Sequence, residues 1–565
     1  MDRVYETHLL RRSFRQDGVV RNETVANLSH LPTELIEVIR RSLAGDSFVP
    51  ATEHASVSRS VPHGHVAAVA AQANALGIPG LLGPPGRARD LVFALIVARV
   101  CRPGSKLATT RWWADTTLAE DLSITDASTD EVYAAMDWLA ARQDKIETKL
   151  VARHLNQAVN PDRLALFDLS SSWMTGRCCP LAARGYSRDG KKGLPQIEYG
   201  LLTDPVGRPV AVKVFPGNTA DPTAFTTIVE HIKAKFNLGK MVMVGDRGMI
   251  TSARIDALKE IGGYGWVTAL RAPQVAALAA DDGPLQMSLF DEANLAEITH
   301  PDYPGERLIA CRNPALAIER ARKRQELLAA TDTNLTAIAT SVAAGRIKGA
   351  GKMGIKVGKV IGKHKMGKHY DLDITDTTFT FTHNTDSIAA ETALDGIYLI
   401  RTTVSADTMD ANQVVATYKS LANVERDFRS IKSIDLDLRP VHHYTETRVR
   451  AHVFICMLAA YLVWHLRAAW KPLTFTDENR PEQTDPVAPA VRSHAADRKA
   501  ATKKTRDGLP ARSFTSLLDH LGTLTRNDLR YGDDGPTVPT LTEPTDTQRR
   551  AFDLINTRIP LTLRK

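Results

Sequence analysis

Cysteine is scarce and poorly spaced for metal or covalent chemistry. The 565 residues hold five, Cys101, Cys178, Cys179, Cys311 and Cys456. None forms a C-x-x-C pair or a zinc spacing, which argues against a disulfide framework or a zinc module and for reduced thiols. Long apolar runs are missing too. None reaches the roughly 18 residues a membrane span needs. The nearest, VFICMLAAYLVWHL at 453–466, reads as a buried core helix. The N-terminal stretch MDRVYETHLLRRSFRQDG lacks the apolar segment of a signal peptide, so a cytoplasmic protein is expected. One near-miss to a nucleotide site also fails. GKHKMGKH has His369 where a P-loop needs Ser or Thr, and no strand leads into it, so no nucleotide cofactor is expected.

What is present is globular and basic. Hydrophobic residues make up 43% and charged residues 24%, with a net charge of +8. A chain this long predicts two to four domains, and the charge suits a polyanionic partner without requiring one.

The pattern divides the chain. RQDGVVRN reads as a hairpin turn, and residues 1–155 are otherwise expected to form a mainly helical, separate region. Its clearest helix start is Ser128 with Glu131 three residues on, a capping box. From 163 the order becomes β-β-β-α-β-α-β: RLALFDLSS, QIEYGLLTD and RPVAVKVFPG, a helix over 221–236, KMVMVGD, TSARIDALKEI and YGWVTALR. That is an α/β mixed sheet, expected over 160–271 and resuming over 390–470. Between them, 272–389 reads as a β-rich insertion with a Lys/Gly tract. Residues 471–510 have the polar, Pro-rich composition of a disordered linker, and 511–565 form a tail with a possible role in dimerisation.

Two aspartates follow apolar strand runs, Asp168 and Asp246, and Glu425 lies in a helical stretch, YKSLANVERDFRSIK. Either aspartate alone could be a turn or cap residue. Three converging carboxylates repel one another unless a cation sits among them. Hard oxygen ligands suit Mg²⁺, with Mn²⁺ able to substitute, and paired ions of this kind serve displacement at phosphorus. Tyr418, Glu425 and Lys432 stand seven residues apart, nearly two α-helical turns, and so are expected on one helix face with a drift of about 20°.

These residues resemble the bacterial insertion-sequence transposases of the DDE class, in the branch whose signature runs Tyr, two residues, Arg, three residues, Glu, six residues, Lys. Tyr418, Glu425 and Lys432 match three positions, and Leu421 stands where Arg is usual. FDLSSSW around Asp168, VGDRGMIT around Asp246 and DLDLRPVHHYTETRVRAHVFICMLA after Glu425 support the likeness. The resemblance implies a ribonuclease-H-like core with a β-rich insertion before the Glu helix. It implies catalysis and metal binding by Asp168, Asp246 and Glu425, DNA as partner, and a homodimer on DNA. It also implies DNA-backbone contacts from Tyr418 and Lys432, with Arg426 or Arg429 replacing the missing Arg.

Lys352, Lys356 and Lys359, in a tract without acids, are further DNA-contact candidates. Either that role or a solvated loop suits the tract, and the same holds for Arg184, Arg188, Lys191 and Lys192. His442 and His443 lack metal-ligand spacing, and His452 reads as core. Trp112, Trp113 and Trp266 could stack on an extruded base, but core packing is the commoner role. Two rivals remain: a DNA-binding derivative without catalysis, and a structure-specific nuclease on the same core.

Overall fold

A computed structural model describes residues 6–46, 55–156, 164–176, 178–191, 193–219, 227, 229–230, 234, 241–248, 250–280, 283–290, 293–475, 494–531 and 536–563. Most of the helix expected over 221–236, the linker core (476–493) and Lys192 lie outside the described residues, and the described positions of that helix, 227, 229–230 and 234, are helical. The chain forms two compact units, Met1–Val61 with Thr525–Glu543, and Pro62–Leu524 with Pro544–Lys565.

In the first unit, β1 (Leu9–Gln16) and β2 (Val19–Asn27) form the expected hairpin. Gln16 pairs with Val19, which leaves a two-residue loop, and Asp17 and Gly18 both take positive φ, as such a loop demands. Helix α1 (Thr33–Leu43) buries none of its residues within the described structure. Strand β3 (Ala55–Pro62) closes this stretch.

The second unit has one large core. Helices α2 (Gly64–Ala75), α3 (Arg87–Cys101) and α4 (Thr129–Ala140) begin it, with the Ser128–Glu131 capping box starting α4. The central sheet collects β4 (Leu164–Trp173), β5 (Gln196–Thr203), β6 (Pro209–Pro216), β7 (Met241–Val244), β8 (Tyr264–Ala269), β9 (Leu295–Ile298), β10 (Arg307–Arg312) and, beyond an insertion, β13 (Ile397–Thr402). Its order is β6-β5-β4-β7-β8-β13-β10-β9. β4, β5 and β6 are antiparallel neighbours, and β7 and β8 run parallel to β4. Every residue of β5 is buried, as expected of a strand covered on both faces.

The insertion is more helical than β-rich, which corrects the expectation. It holds α5 (Pro314–Ala343), α6 (Ala350–His364) and a single hairpin, β11 (Tyr370–Ile374) with β12 (Phe379–His383). Asn313 caps α5 by accepting the Leu316 N–H at 3.1 Å. The Lys/Gly tract is helix rather than loop, because Met353 and Val357 bury one side of α6 against Leu335, Tyr370 and Phe379 in a small separate core. β9 and β10 belong to the main sheet, so the expected boundary at 272 falls too early.

Two helices, α7 (Ala411–Lys419) and α8 (Leu421–Arg429), precede the long α9 (Glu446–Ala469). By length and composition α9 could cross a membrane, but 83% of its most apolar window is buried inside the protein. It packs on α2, α3, α4 and β6, so residues 62–155 share one core with the sheet and are no separate domain. The C-terminal residues are no free tail either. Helices α10 (Phe514–Gly522) and α11 (Asp546–Leu554) join the same core. Between them, β14 (Thr525–Tyr531) and β15 (Thr537–Leu541) belong to the first unit, where β14 lies between β15 and β3. Of the expected linker, the described part includes a helix at His494–Thr502.

Candidate active site

The parallel register of β4 on β7 positions two acids. Leu164 pairs with Val242 and Leu166 with Val244, where β7 ends. Asp168 lies two residues beyond Leu166 on β4, and Asp246 two residues beyond Val244. Asp168 sits inside β4, which runs on to Trp173, and does not end it as expected. Its Oδ1 accepts the Leu169 N–H at 2.7 Å. Asp246 lies exposed in the turn after β7, where its Oδ1 accepts the Gly248 N–H at 2.9 Å. Burial, then the negative charge of Asp246, pushes the Asp168 carboxyl up to about 7; the Leu169 N–H and Arg188 oppose the shift and Glu425 adds to it. The Asp168 carboxyl therefore senses the charge of both other acids.

The Glu425 stretch is not one continuous α-helix. Helix α7 stops at Lys419, α8 starts at Leu421, and Ser430–Ile434 winds as a π-helix. Ser420 at the joint turns its Oγ back to the Thr417 carbonyl at 2.6 Å, a local bond that competes with the helix ladder. A π turn holds extra residues, so it rotates later side chains off the face they would occupy in an α-helix. Tyr418 and Glu425 still line one cavity of about 480 Å³ together with Asp246, Arg247 and Arg320. The Tyr418 hydroxyl is pushed up to about 12, by burial first and then by Asp246, with Glu425 adding and Arg247 opposing.

Lys432 does not face that cavity. It is 9% exposed, and its Nζ donates to Asp189 Oδ1 at 2.9 Å. Leu421 is buried on the cavity wall, so the position where Arg is usual carries packing here. Arg426 and Arg429 are exposed on α8. Two residues past Glu425, Asp427 is buried and pushed up to about 8, mainly by burial, with Arg426 opposing.

The donor chemistry, three carboxylates with nearby like charge, suits a hard divalent cation. Among the described residues, no three His, Cys, Asp or Glu side chains are yet gathered closely enough to hold one.

On α6, Lys352, Lys356 and Lys359 are exposed, and so is Lys363. The spacing of four, three and four places them in one stripe about 16 Å long at 1.5 Å per residue. The base-stacking role fails for Trp266, which is 2% exposed and donates its Nε1–H to Glu306 at 3.0 Å, and for Trp113, which is also buried. His442 contacts Thr175 Oγ1 at 2.7 Å. Burial pushes the partly buried His443 down to about 3 and the core residue His452 well below its usual value. Asp189, Arg247 and Arg320 escaped the sequence reading as site components, whereas Arg188 entered it only as a DNA contact. Only Arg247, next to Asp246, had a neighbour that pointed to it.

The family model "Transposase DDE domain" matches residues 170–462, a span that includes Asp246 and Glu425 and opens two residues after Asp168. The model "IS1634 family transposase, N-terminal domain" matches residues 1–51. No curated protein matches. Among solved structures, a cryo-EM structure of the piggyBac transposase synaptic complex with hairpin DNA is similar over 81% of this chain and 76% of that one, at 8% identity and a TM-score of 0.32.

Proposed function

The chain belongs to the DDE-domain transposases, and from that premise we propose that it binds the terminal inverted repeats of its own element, cleaves a phosphodiester to free a 3′-OH, and transfers that strand to target DNA. The observation that supports this reading is the cavity lined by Asp246 and Glu425, with Asp168 two residues along β4 from the Leu166–Val244 pair that precedes Asp246. The sheet order β6-β5-β4-β7-β8, with three antiparallel strands followed by two parallel ones, is the arrangement implied by a ribonuclease-H-like core.

The three acids would hold two Mg²⁺, with Mn²⁺ as a substitute, and bound ions of this kind activate a nucleophile and stabilise a leaving oxygen. The chain's own part is placement. Asp168 is held within β4, Asp246 follows the end of β7 by two residues, and Glu425 lies on α8 in the cavity wall. Tyr418, which keeps its proton to about pH 12, can donate a hydrogen bond to a phosphate oxygen beside the acids. Arg426 and Arg429 on α8, and Lys352, Lys356 and Lys359 on α6, would hold the DNA backbone. Two copies would pair the two ends as a homodimer, at the bacterial nucleoid.

The deciding experiment is cleavage of end-containing DNA with Mg²⁺ or Mn²⁺, alongside cleavage of random and branched duplexes. Cutting at the element's end supports the reading. Cutting of any branched duplex, without end preference, would establish a structure-specific nuclease instead.

Sequence-specific end recognition is assigned to the N-terminal region, expected from sequence over residues 1–155, because the catalytic core acts at a fixed place through largely backbone contacts. Because residues 62–155 are part of the main core, the fitting deletion removes only residues 6–46. If that variant still selects its own end over random DNA, the assignment fails.

A further inference from the structure

The signature lysine has an unexpected partner. Asp189 presents a side chain that is 1% exposed, in a loop that otherwise carries cations. One carboxylate oxygen accepts Lys432 Nζ at 2.9 Å and also a guanidinium N–H of Arg439, while the other accepts the Trp173 N–H at 3.3 Å. Trp173 is the last residue of β4. Asp189 therefore joins three pieces of chain: the end of the Asp168 strand, its own loop, and the segment that follows the Glu425 helix. Neighbouring bonds hold the same seam, since Thr175 N–H donates to the Val441 carbonyl at 3.1 Å and Val441 N–H to the Trp173 carbonyl at 3.1 Å.

The residue before Asp189 is Arg188. Its backbone N–H donates to Ser171 Oγ at 3.0 Å, on the Asp168 strand. Its guanidinium lies 3.8 Å from Glu198, whose register partner is Ser171, and its charge reaches Asp168. Lys432 and Arg439 share one Asp189 oxygen, so losing Lys432 leaves the buried carboxylate with only part of its charge compensated, which is destabilising where it sits. Removing Lys432 would therefore act on this loop first.

We infer that Lys432 is a positioning residue and not a DNA contact: through Asp189 it clamps the 184–191 loop onto the strand that carries Asp168. The inference rests on the assignment of the acids above. It gives Lys432 a different task from the backbone contact that the family signature implies. The clamp keeps the loop, and Arg188 with it, bonded to Ser171 on the Asp168 strand, so Lys432 influences cleavage through the loop while staying away from phosphate.

The test uses the full chain with Lys432→Met, Lys432→Arg and Asp189→Asn, and folding is checked by thermal melting. Asp189→Asn keeps the shape of the side chain, so it remains informative if Lys432→Met folds poorly. Both Lys432→Met and Asp189→Asn should speed tryptic cleavage after Arg184, Arg188 and Lys191. Both should also lower the cleavage rate at saturating end DNA on the order of tenfold to a hundredfold, the scale of a small misplacement. Lys432→Arg should restore trypsin resistance and most of the rate. The slope of log affinity against log salt should match the wild type in all three. A slope shallower by about 0.9 in Lys432→Met would show that Lys432 neutralises a phosphate and overturn the inference. A loop that stays trypsin-resistant in both Lys432→Met and Asp189→Asn would overturn it as well. If the wild type cuts no DNA, the transposase reading fails on its own, and the trypsin arm still decides the clamp.

Discussion

The acid cavity and the lysine stripe of α6 are built in opposite ways. The proposed acids come from β4, the turn after β7 and α8, far apart in sequence, and only the parallel pairing of β4 with β7 brings the first two strands together. The lysines come from a single helix and need only its period. Around Asp168 burial and neighbouring acids change the chemistry of the group, whereas the stripe is solvated. A site of the first kind is sensitive to single atoms. A site of the second kind works by summed charge and degrades gradually.

The largest test of this contrast removes one charge from the cavity. Asp246→Asn or Glu425→Gln keeps the shape and should abolish strand cleavage while end binding survives, because binding rests on cationic and polar contacts elsewhere. Near-normal cleavage by Glu425→Gln would remove α8 from the site. Among nearby acids only the exposed Asp437 is a fair control. Asp427 is buried, and Asp435 is bonded to Ser430 Oγ at 2.6 Å and to Arg467 at 2.6 and 2.8 Å.

Next comes the separateness of the two cores. Met353 is fully buried in the small insertion core, so Met353→Ala should cost about 2–5 kcal/mol there. Hydrogen exchange should then lose protection over 335–381 and keep it in β4. Equal loss in both would show that the two cores unfold as one.

A smaller, graded effect is expected from the stripe. Changing Lys352, Lys356 and Lys359 to Gln should lower the salt slope by about 0.9 for each phosphate no longer neutralised, equally for end and random DNA. An unchanged slope returns α6 to a purely solvated helix.

The smallest effect concerns Asp427, which faces away from the cavity Glu425 lines. Its carboxyl is raised from 3.8 to about 8 in the folded chain. Between those values the folded chain holds a proton that the unfolded chain has released, so this group makes stability fall as pH rises through the window. Asp427→Asn should flatten that decline, seen by comparing melting temperatures at low and high pH. A decline as steep as in the wild type would mean that Asp427 is not its source.

Much of the central fold could be read from sequence because apolar runs, turn residues and caps are local signals. The Asp17–Gly18 hairpin, the Ser128 cap and the strands from β4 to β8 were all legible in this way. The failures share a cause. The seven-residue spacing of Tyr418, Glu425 and Lys432 assumed one unbroken α-helix, and the break at Ser420 and the π turn after it turned Lys432 toward Asp189, 243 residues away in sequence. The Lys/Gly tract looked like a loop because glycine disfavours helix, yet burial of Met353 and Val357 outweighed that preference.

By itself, then, the sequence determined which residues are acids, cations and core formers, and where strands and helices start, since those follow from side-chain chemistry and short-range periodicity. The tertiary structure alone decided which of those acids share a cavity, which signature residue is buried, and which helices belong to one core. Register, helix breaks and buried ion pairs join residues distant along the chain, and no local pattern encodes which distant partner a side chain will meet.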